Sequence, residues 1–414
     1  MSSSTKLQSC LMLTLVIATA TYVHAENWPG WRGPLRTGVT TDTGVPTTWS
    51  STENVLWRTP VPGTGISNPV VWQDRVFITA AEGRDQSELH VLCLDRDSGR
   101  IRWHQRLWGT APTVFYYPKS GLASPSPLTD GERLWVFFGT GDVFCFDLDG
   151  GLLWQRSLAD EYGPFENRFA AASSPLLFQD TVILQCDHYG ASYVLAMDGK
   201  TGANRWKSDR PEAWLSWSSP QLTPVGDRSE LVLSGSEKLD GYNPVTGRRL
   251  WTVRGLVREC VPTPVLGAGL VFVVSGPNGA HLAVKPGGSG DVTETHVVWR
   301  NDRGTSFVPS PIVVGERYYL VDDKGIASCL STSDGELLWR KRLTGKFTAS
   351  PVAADGKLFF TNESGSTVVI DAAADEYREL ARNEIGEDVY SSPAISQKRM
   401  FLRTTKHVVC IGTK

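Results

Sequence analysis

Residues 69–103 read PVVWQDRVFITAAEGRDQSELHVLCLDRDSGRIRW, and they contain a complete structural unit. Pro69-Val-Val-Trp72 is a short apolar run ended by a tight turn at Gln73-Asp74. Arg75-Val-Phe-Ile-Thr79 is a second run, and Leu89-His-Val-Leu-Cys-Leu94 is a third after a polar loop. Asp95 to Gly99 then supplies a turn, and Arg100-Ile-Arg-Trp103 is the fourth. Short runs rich in Val, Ile, Phe and Trp, separated by Asp and Gly, are strand and hairpin signals.

The unit repeats. Its opening proline recurs as Pro69, Pro127, Pro175, Pro220, Pro264, Pro311, Pro351 and Pro393, usually after a serine and always before an apolar strand. The mean spacing is about 46 residues, the period of a four-stranded β-propeller blade. A second marker sits in the fourth strand, where glycine precedes tryptophan by four in Gly99/Trp103, Gly150/Trp154, Gly202/Trp206, Gly247/Trp251 and Gly335/Trp339. Glycine supplies the positive φ of a tight turn. The tryptophan is expected to face the neighbouring blade. The fifth copy departs from this pattern through a long Lys285 to His296 connection before Trp299. The seventh lacks the tryptophan and ends its outer strand near Leu380.

The two ends complement one another. The copy at Pro393 to Gly412 has three strands, and Asn54-Val-Leu-Trp57-Arg58 reads as an orphan fourth strand. If it closes the last blade, the ring has no open strand edge. The expected fold is therefore all-β: an eight-bladed propeller of four-stranded antiparallel blades, closed by an N-terminal strand. Seven blades with a leftover unit is the alternative.

The division expected is a signal peptide over 1–25, a Trp/Gly/Pro-rich extension over 26–53 and a propeller over 54–414. The first segment has Lys6, an apolar run from Leu11 to Ala20 and Val23-His24-Ala25 before Glu26, the pattern of a cleaved secretory leader. Cys10 precedes the apolar run and is badly placed for lipidation. The chain after the leader is expected to be periplasmic or secreted, with no transmembrane segment. The extension carries Trp28, Trp31 and Trp49 without a strand period. It is expected to lie against the propeller with its indoles buried, with a docking tail as the alternative.

The 414 residues carry 41 basic and 44 acidic side chains, a net charge of −3, which gives no basic footprint for nucleic acid. The 40 glycines, 24 prolines and 15 tryptophans suit a turn-rich β fold. The unit from Ser-Pro through Leu-x-Cys-Leu-Asp to Ser-Gly-x-x-x-Trp resembles the repeat of the PQQ-like β-propellers, where PQQ is pyrroloquinoline quinone. The resemblance covers residues 54 to 412. That family includes quinoprotein dehydrogenases and non-catalytic propellers such as the outer-membrane assembly subunit BamB. Trp28-Pro-Gly-Trp31-Arg-Gly-Pro34 with Pro46-Thr-Thr-Trp49 is similar to secreted PQQ-like propellers of planctomycete-type bacteria. The vicinal Cys-Cys pair of the quinoprotein enzymes is absent, and their calcium set of Glu, Asn and Asp has no counterpart that can be placed.

Cys93, Cys145, Cys329 and Cys410 occupy one equivalent third-strand position, where other copies have Ala196 or Ala283. In an eight-fold ring with strands about 4.8 Å apart, neighbouring third strands lie about 13 Å apart. A disulfide needs Cα atoms within about 7 Å, so buried free thiols are expected. His90 and Cys93 point to opposite faces of one strand and cannot share a metal. No metal site is expected. Asp95-Arg-Asp97-Ser-Gly99 and Asp147-Leu-Asp149-Gly150 are read as turns, lacking the remaining ligands of a calcium loop. No complete phosphate loop, serine elbow or catalytic triad is present, and no catalytic residue is assigned.

What varies between copies is the loops. Fourth-to-first and second-to-third strand loops share one face. They carry the candidate ligand-binding residues Tyr116, Lys119, Glu166, Arg168, His188, Trp217 and Arg258, with Glu161 and Glu166 as a possible carboxylate pair. Aromatic rings beside charges suit a peptide, glycan or other polar ligand. The expected role is a non-catalytic binding or assembly scaffold of the cell envelope. It would be a monomer that recognises an envelope protein or glycan and needs no cofactor. The alternatives are a PQQ- and calcium-dependent oxidoreductase and a carbohydrate-binding or carbohydrate-active propeller.

Overall fold

A computed structural model describes residues 26–83, 85–110, 119–276 and 279–413. The leader expected over residues 1–25 lies outside the described residues. Eight antiparallel sheets follow one another along the chain, and these are the eight blades. Blade one is Val70–Trp72, Arg75–Glu82, Glu88–Asp95 and Ile101–Trp108, paired in sequence order. In the last blade Val55–Pro60 pairs antiparallel with His407–Ile411, placing Trp57 opposite Cys410. The segment that leads into the first blade thus supplies the outer strand of the last.

Burial follows the radial order of the strands. In blade one the second and third strands are buried almost throughout, whereas the fourth is largely exposed. The alternating pattern of a half-buried sheet is therefore confined to the outer strand. Blade four gains a short fifth strand, Gly290–Asp291, parallel to Arg249–Arg254. The long connection before Trp299 supplies it. The fifth blade still ends in Val297–Asn301 and the seventh in Glu379–Glu384.

The glycine–tryptophan pairs work between blades. The Trp103 indole donates to the Leu148 carbonyl at 2.9 Å, and the Trp57 indole to the Arg96 carbonyl at 2.8 Å. Each ring then lies on the turn glycine of the next blade. A Cβ on Gly99, where φ is +71°, would sit 2.5 Å from the Trp57 ring. Those glycines answer a steric demand from the preceding blade as well as a positive φ. Trp251 differs. Its indole donates to Glu230 Oε2 within its own blade at 2.7 Å, and its ring fills the space above Gly241.

The same packing explains the cysteines. Cys93, Cys145, Cys329 and Cys410 each pair across the ladder with an outer-strand tryptophan, as do Ala196, Gly241 and Ala283. The bulky partner demands a small residue opposite. Blade seven has Ala381 in place of the tryptophan, and Val369 takes the facing position. All six cysteines among the described residues are free and buried. Burial pushes the Cys93 thiol up to about 12, so it is inert at neutral pH.

The residue before each repeat proline faces the axis, and these residues form a closed circuit. The Asn68 N–H donates to Ser126 Oγ at 3.0 Å, Ser126 N–H to Ser174 Oγ at 3.0 Å, and Ser174 N–H to Ser219 Oγ at 2.9 Å. The chain of bonds continues through Thr263, Ser310 and Ser350 to Ser392. Ser392 N–H then donates to Asn68 Oδ1 at 3.0 Å and closes the ring.

Residues 26–49 run over the face formed by the first-to-second strand turns. Asn27 Oδ1 accepts from Gln73 N–H in the turn of blade one, and Gly44 N–H donates to Asp355 in that of blade seven. Trp28 exchanges backbone hydrogen bonds with Val71 and is fully buried. Trp49 is also buried and stacks on Phe359, with ring centres 6.3 Å apart. Trp31 is half-buried and reaches the axis, where its indole donates to Thr263 Oγ1 at 2.9 Å. Arg32 crosses beneath the ring and donates to the carbonyls of Pro311 at 2.7 Å and Pro351 at 3.3 Å.

Replacing Ser174 with Ala leaves the buried Ser126 N–H without its acceptor. The expected loss is about 1–3 kcal/mol in urea unfolding. Ser173 is the control, because its buried hydroxyl has no hydrogen-bond partner. Ser173→Ala should be neutral or stabilising.

Candidate functional site

The fourth-to-first strand connections converge on the axis opposite the Trp31 side. They enclose a cavity of about 190 Å³ with Lys119, Phe169, Trp217, Phe307 and Thr348 in its wall, and Asp323 joins from a second-to-third strand hairpin. Trp217 is held by its indole donating to the Ala170 carbonyl at 2.9 Å and by its backbone N–H donating to the Cys260 carbonyl at 2.9 Å. Phe169 packs on it, with ring centres 5.7 Å apart. A smaller chamber of about 90 Å³ lies at the serine ring, bordered by both Trp217 and Trp31. The axis is therefore lined by indoles from both sides.

The cavity wall is mainly apolar and its charges are engaged. Lys119 Nζ lies 2.6 Å from Glu363 Oε1, and the same carboxylate oxygen accepts from Thr348 Oγ1 at 2.8 Å. Asp323 accepts the backbone N–H of Phe307 at 2.8 Å. Burial nonetheless lifts its carboxyl above the ordinary aspartate range.

The sequence-derived candidates separate into three places. Lys119 and Trp217 meet in the cavity. Arg168 is exposed, with its guanidinium 4.9 Å from the Phe169 ring centre. Arg258 lies outside the cavity wall, stacked 3.2 Å over the Trp214 ring, and Tyr189 meets the same indole edge-on at 5.5 Å. Glu166 is exposed beside them, its carbonyl accepting from Tyr189 N–H at 2.9 Å. Arg258, Trp214 and Tyr189 thus form a surface patch of one cation and two rings, with Tyr189 41% and Trp214 37% exposed.

His188 sits elsewhere. It is buried, stacks on Phe165 with ring centres 5.0 Å apart, and accepts from Gly190 N–H through Nδ1 at 3.1 Å. Burial lowers its pKa, so at neutral pH it is an uncharged packing residue. Glu161 pairs with Arg156 instead of facing Glu166, and the Arg156 hydrogen bond holds its carboxyl below the ordinary glutamate range. A general acid for glycoside cleavage needs the opposite shift. Tyr116 lies outside the described residues.

Sequence reasoning missed Asp323 and Glu363, which look like ordinary hairpin-turn residues. It also missed a buried cluster next to the patch. Arg210 Nε lies 2.9 Å from Asp187 Oδ1, Nη1 lies 3.5 Å from Asp240 Oδ2, and Tyr242 accepts from Nη1 at 3.1 Å. The carboxylates, set against the desolvation of a buried cation, hold the guanidinium protonated. The cluster fixes the chain just before Trp214. Its only sequence trace is an Asp beside His188 and an Arg before Pro211.

The family model described as "Outer membrane protein assembly factor BamB" matches residues 36–209, 90–337, 290–376 and 324–411. A protein of that description from Yersinia pestis is 22% identical over 385 residues, covering 87% of this chain and 88% of that protein. The crystal structure of BamB from Moraxella catarrhalis superposes with a TM-score of 0.60 at 14% identity, covering 86% of this chain and 98% of that one. A europium-containing methanol dehydrogenase superposes with a TM-score of 0.69 at 11% identity, covering 92% and 90%. At such identities the two superpositions speak to fold alone.

Asp323 binds its proton more tightly in the folded protein than in the unfolded chain, where the ordinary value is 3.8. Its contribution to stability is therefore full below 3.8 and is lost as pH rises through the folded value. Asp323→Asn keeps the acceptor for Phe307 N–H and removes the titration. The variant should show a flatter stability profile between 3.8 and neutrality, measured by urea unfolding across that range.

Proposed function

This chain belongs to the PQQ-like β-propeller family whose model carries the description outer membrane protein assembly factor BamB, and from that membership we propose that it is a non-catalytic docking scaffold of the cell envelope. The observation that carries the proposal is the patch of Tyr189, Trp214 and Arg258. Exposed Trp, Tyr and Arg together are the residue types that dominate binding energy at protein interfaces. The buried Arg210 cluster holds the backbone under the patch, so little ordering is left for the moment of binding. The partner class proposed is an envelope protein. Among the described residues no helix is long and apolar enough to cross a membrane.

The quinone reading finds less support. Pyrroloquinoline quinone is a tricarboxylate and calls for several cations, and calcium takes six to eight oxygens. The described cavity wall offers one cation, Lys119, already neutralised by Glu363, and one carboxylate, Asp323, already hydrogen-bonded to backbone. These residues do not fit the group. The carbohydrate-active reading is weakened by the Arg156–Glu161 pair, since it takes Glu161 away from the pairing with Glu166 that this reading calls for.

The test is site-specific photocrosslinking in cells that express the protein. A photoreactive residue at Trp214 or Tyr189 should give one discrete protein adduct. The same residue at Leu35, 66% exposed on the other face, should give none. Arg258→Glu, with the probe at Tyr189, should reduce the adduct about tenfold, equivalent to about 1.4 kcal/mol. Equal labelling at all three positions would refute a dedicated docking face.

A further inference from the structure

On blade one, the hairpin joining Arg75–Glu82 to Glu88–Asp95 gathers two carboxylates and an imidazole. Glu82 and Glu88 are ladder partners, and His90 lies two residues further along the same strand, on the face of Glu88. One ligand-type atom from each lies within 4.8 Å of the others. His90 Nε2 is 3.4 Å from Glu82 Oε2 and 3.9 Å from Glu88 Oε1. The His90 side chain is wholly buried, yet its Nε2 makes no hydrogen bond. A buried polar atom left unpaired is costly, and this one is aimed between two acids.

The other ring nitrogen has a partner that can set the imidazole. Nδ1 lies 3.0 Å from His104 Nε2. In the tautomer with the proton on Nδ1, donated to His104, the Nε2 lone pair faces the carboxylates and is free to bind a cation. Metal-bound imidazoles are held in this way, with the second nitrogen donating to a fixed acceptor. We propose that Glu82, Glu88 and His90 bind one divalent cation of the zinc class. Bonds of about 2.1 Å in a tetrahedron give ligand separations of about 3.4 Å, and the Glu82–His90 separation has that value.

The ligand types select the metal. One imidazole and two carboxylates suit zinc or its first-row neighbours, and calcium needs more oxygens than the cluster provides. Glu82 is 52% exposed, so the fourth coordination position opens to solvent. Arg106 approaches Glu88 at 3.8 Å but is 69% exposed, and its long side chain can swing away. Cys93 takes no part, because it points into the core from the opposite face. The hairpin is fixed on its other side by Gln86, whose Oε1 accepts from Leu122 N–H at 2.9 Å. That bond ties it to the connection that carries Lys119.

The test is titration of the chelator-stripped protein with Co²⁺, read by visible absorption, and with Zn²⁺, read by calorimetry. One equivalent should bind, with the intense bands of low-coordinate cobalt. Glu82→Gln should weaken binding at least tenfold, and its exposed position leaves folding intact by circular dichroism. His104→Ala, which spares all three ligands, should weaken it about 10–100-fold. Absence of saturable binding would overturn the proposal and make the group an ordinary His–Glu pair. So would binding unchanged in both Glu82→Gln and Glu88→Gln.

Discussion

The architecture depends on eight hydrogen bonds that run around the axis in one direction. Each leaves the backbone N–H of the residue before a repeat proline and ends on the side-chain oxygen of its counterpart in the next blade. The last returns to Asn68, so every one of these residues both donates and accepts. The proline removes its own N–H and biases the preceding residue towards an extended backbone, which aims that residue's polar groups around the ring. Water has little access there, so a missing link would strand a buried donor. The ring fixes how closely the blades approach and hence the width of the axial chamber that Trp31 and Trp217 border.

A second interlock acts further from the axis. Trp57, Trp103, Trp154, Trp206 and Trp299 each have a small residue beside them on the third strand and a glycine of the next blade against the ring. Three positions in two blades are thereby coupled. Blade seven shows the coupling by exception, since loss of the indole at Ala381 comes with a larger Val369 across the ladder. Blade four shows another solution, in which Trp251 turns to Glu230 and Gly241 makes room within the same sheet.

Much of this was legible because it repeats. The prolines, the Gly-x-x-x-Trp signal and the truncated last copy led to eight blades and to closure by the strand around Trp57. The small residue at Cys93 and its equivalents also appeared as a repeat. The cavity was less legible, since its wall draws single residues from connections far apart in sequence. Lys119 and Trp217 were visible as odd residues in loops. Asp323 and Glu363 were not, because each sits in a hairpin where Asp and Glu are common turn residues. His188 was a candidate because of its loop position, whereas the fold buries it against Phe165, away from the cavity. The approach of Glu82 to His90 was hidden for a different reason. It depends on the pairing of two strands, which the spacing of His90 and Cys93 along one strand does not reveal.

Closure of the ring also constrains the order in which the chain can acquire its structure. Ser396 Oγ donates to the Glu26 carbonyl across 370 residues of sequence, and the strand around Trp57 needs the final strand as its partner. In a chain made from its N-terminus onward, Trp28 can meet Val71 as soon as blade one forms, but Trp49 waits for Phe359 and the strand around Trp57 waits for residues 407–411. Until then Trp49 lacks the ring it stacks on, and the Trp57 strand lacks its backbone partner. Contacts of such sequence separation slow folding and lengthen exposure to aggregation. The last blade is therefore a checkpoint: a chain truncated before residue 407 would lose a strand at its end and also leave its beginning unsheltered.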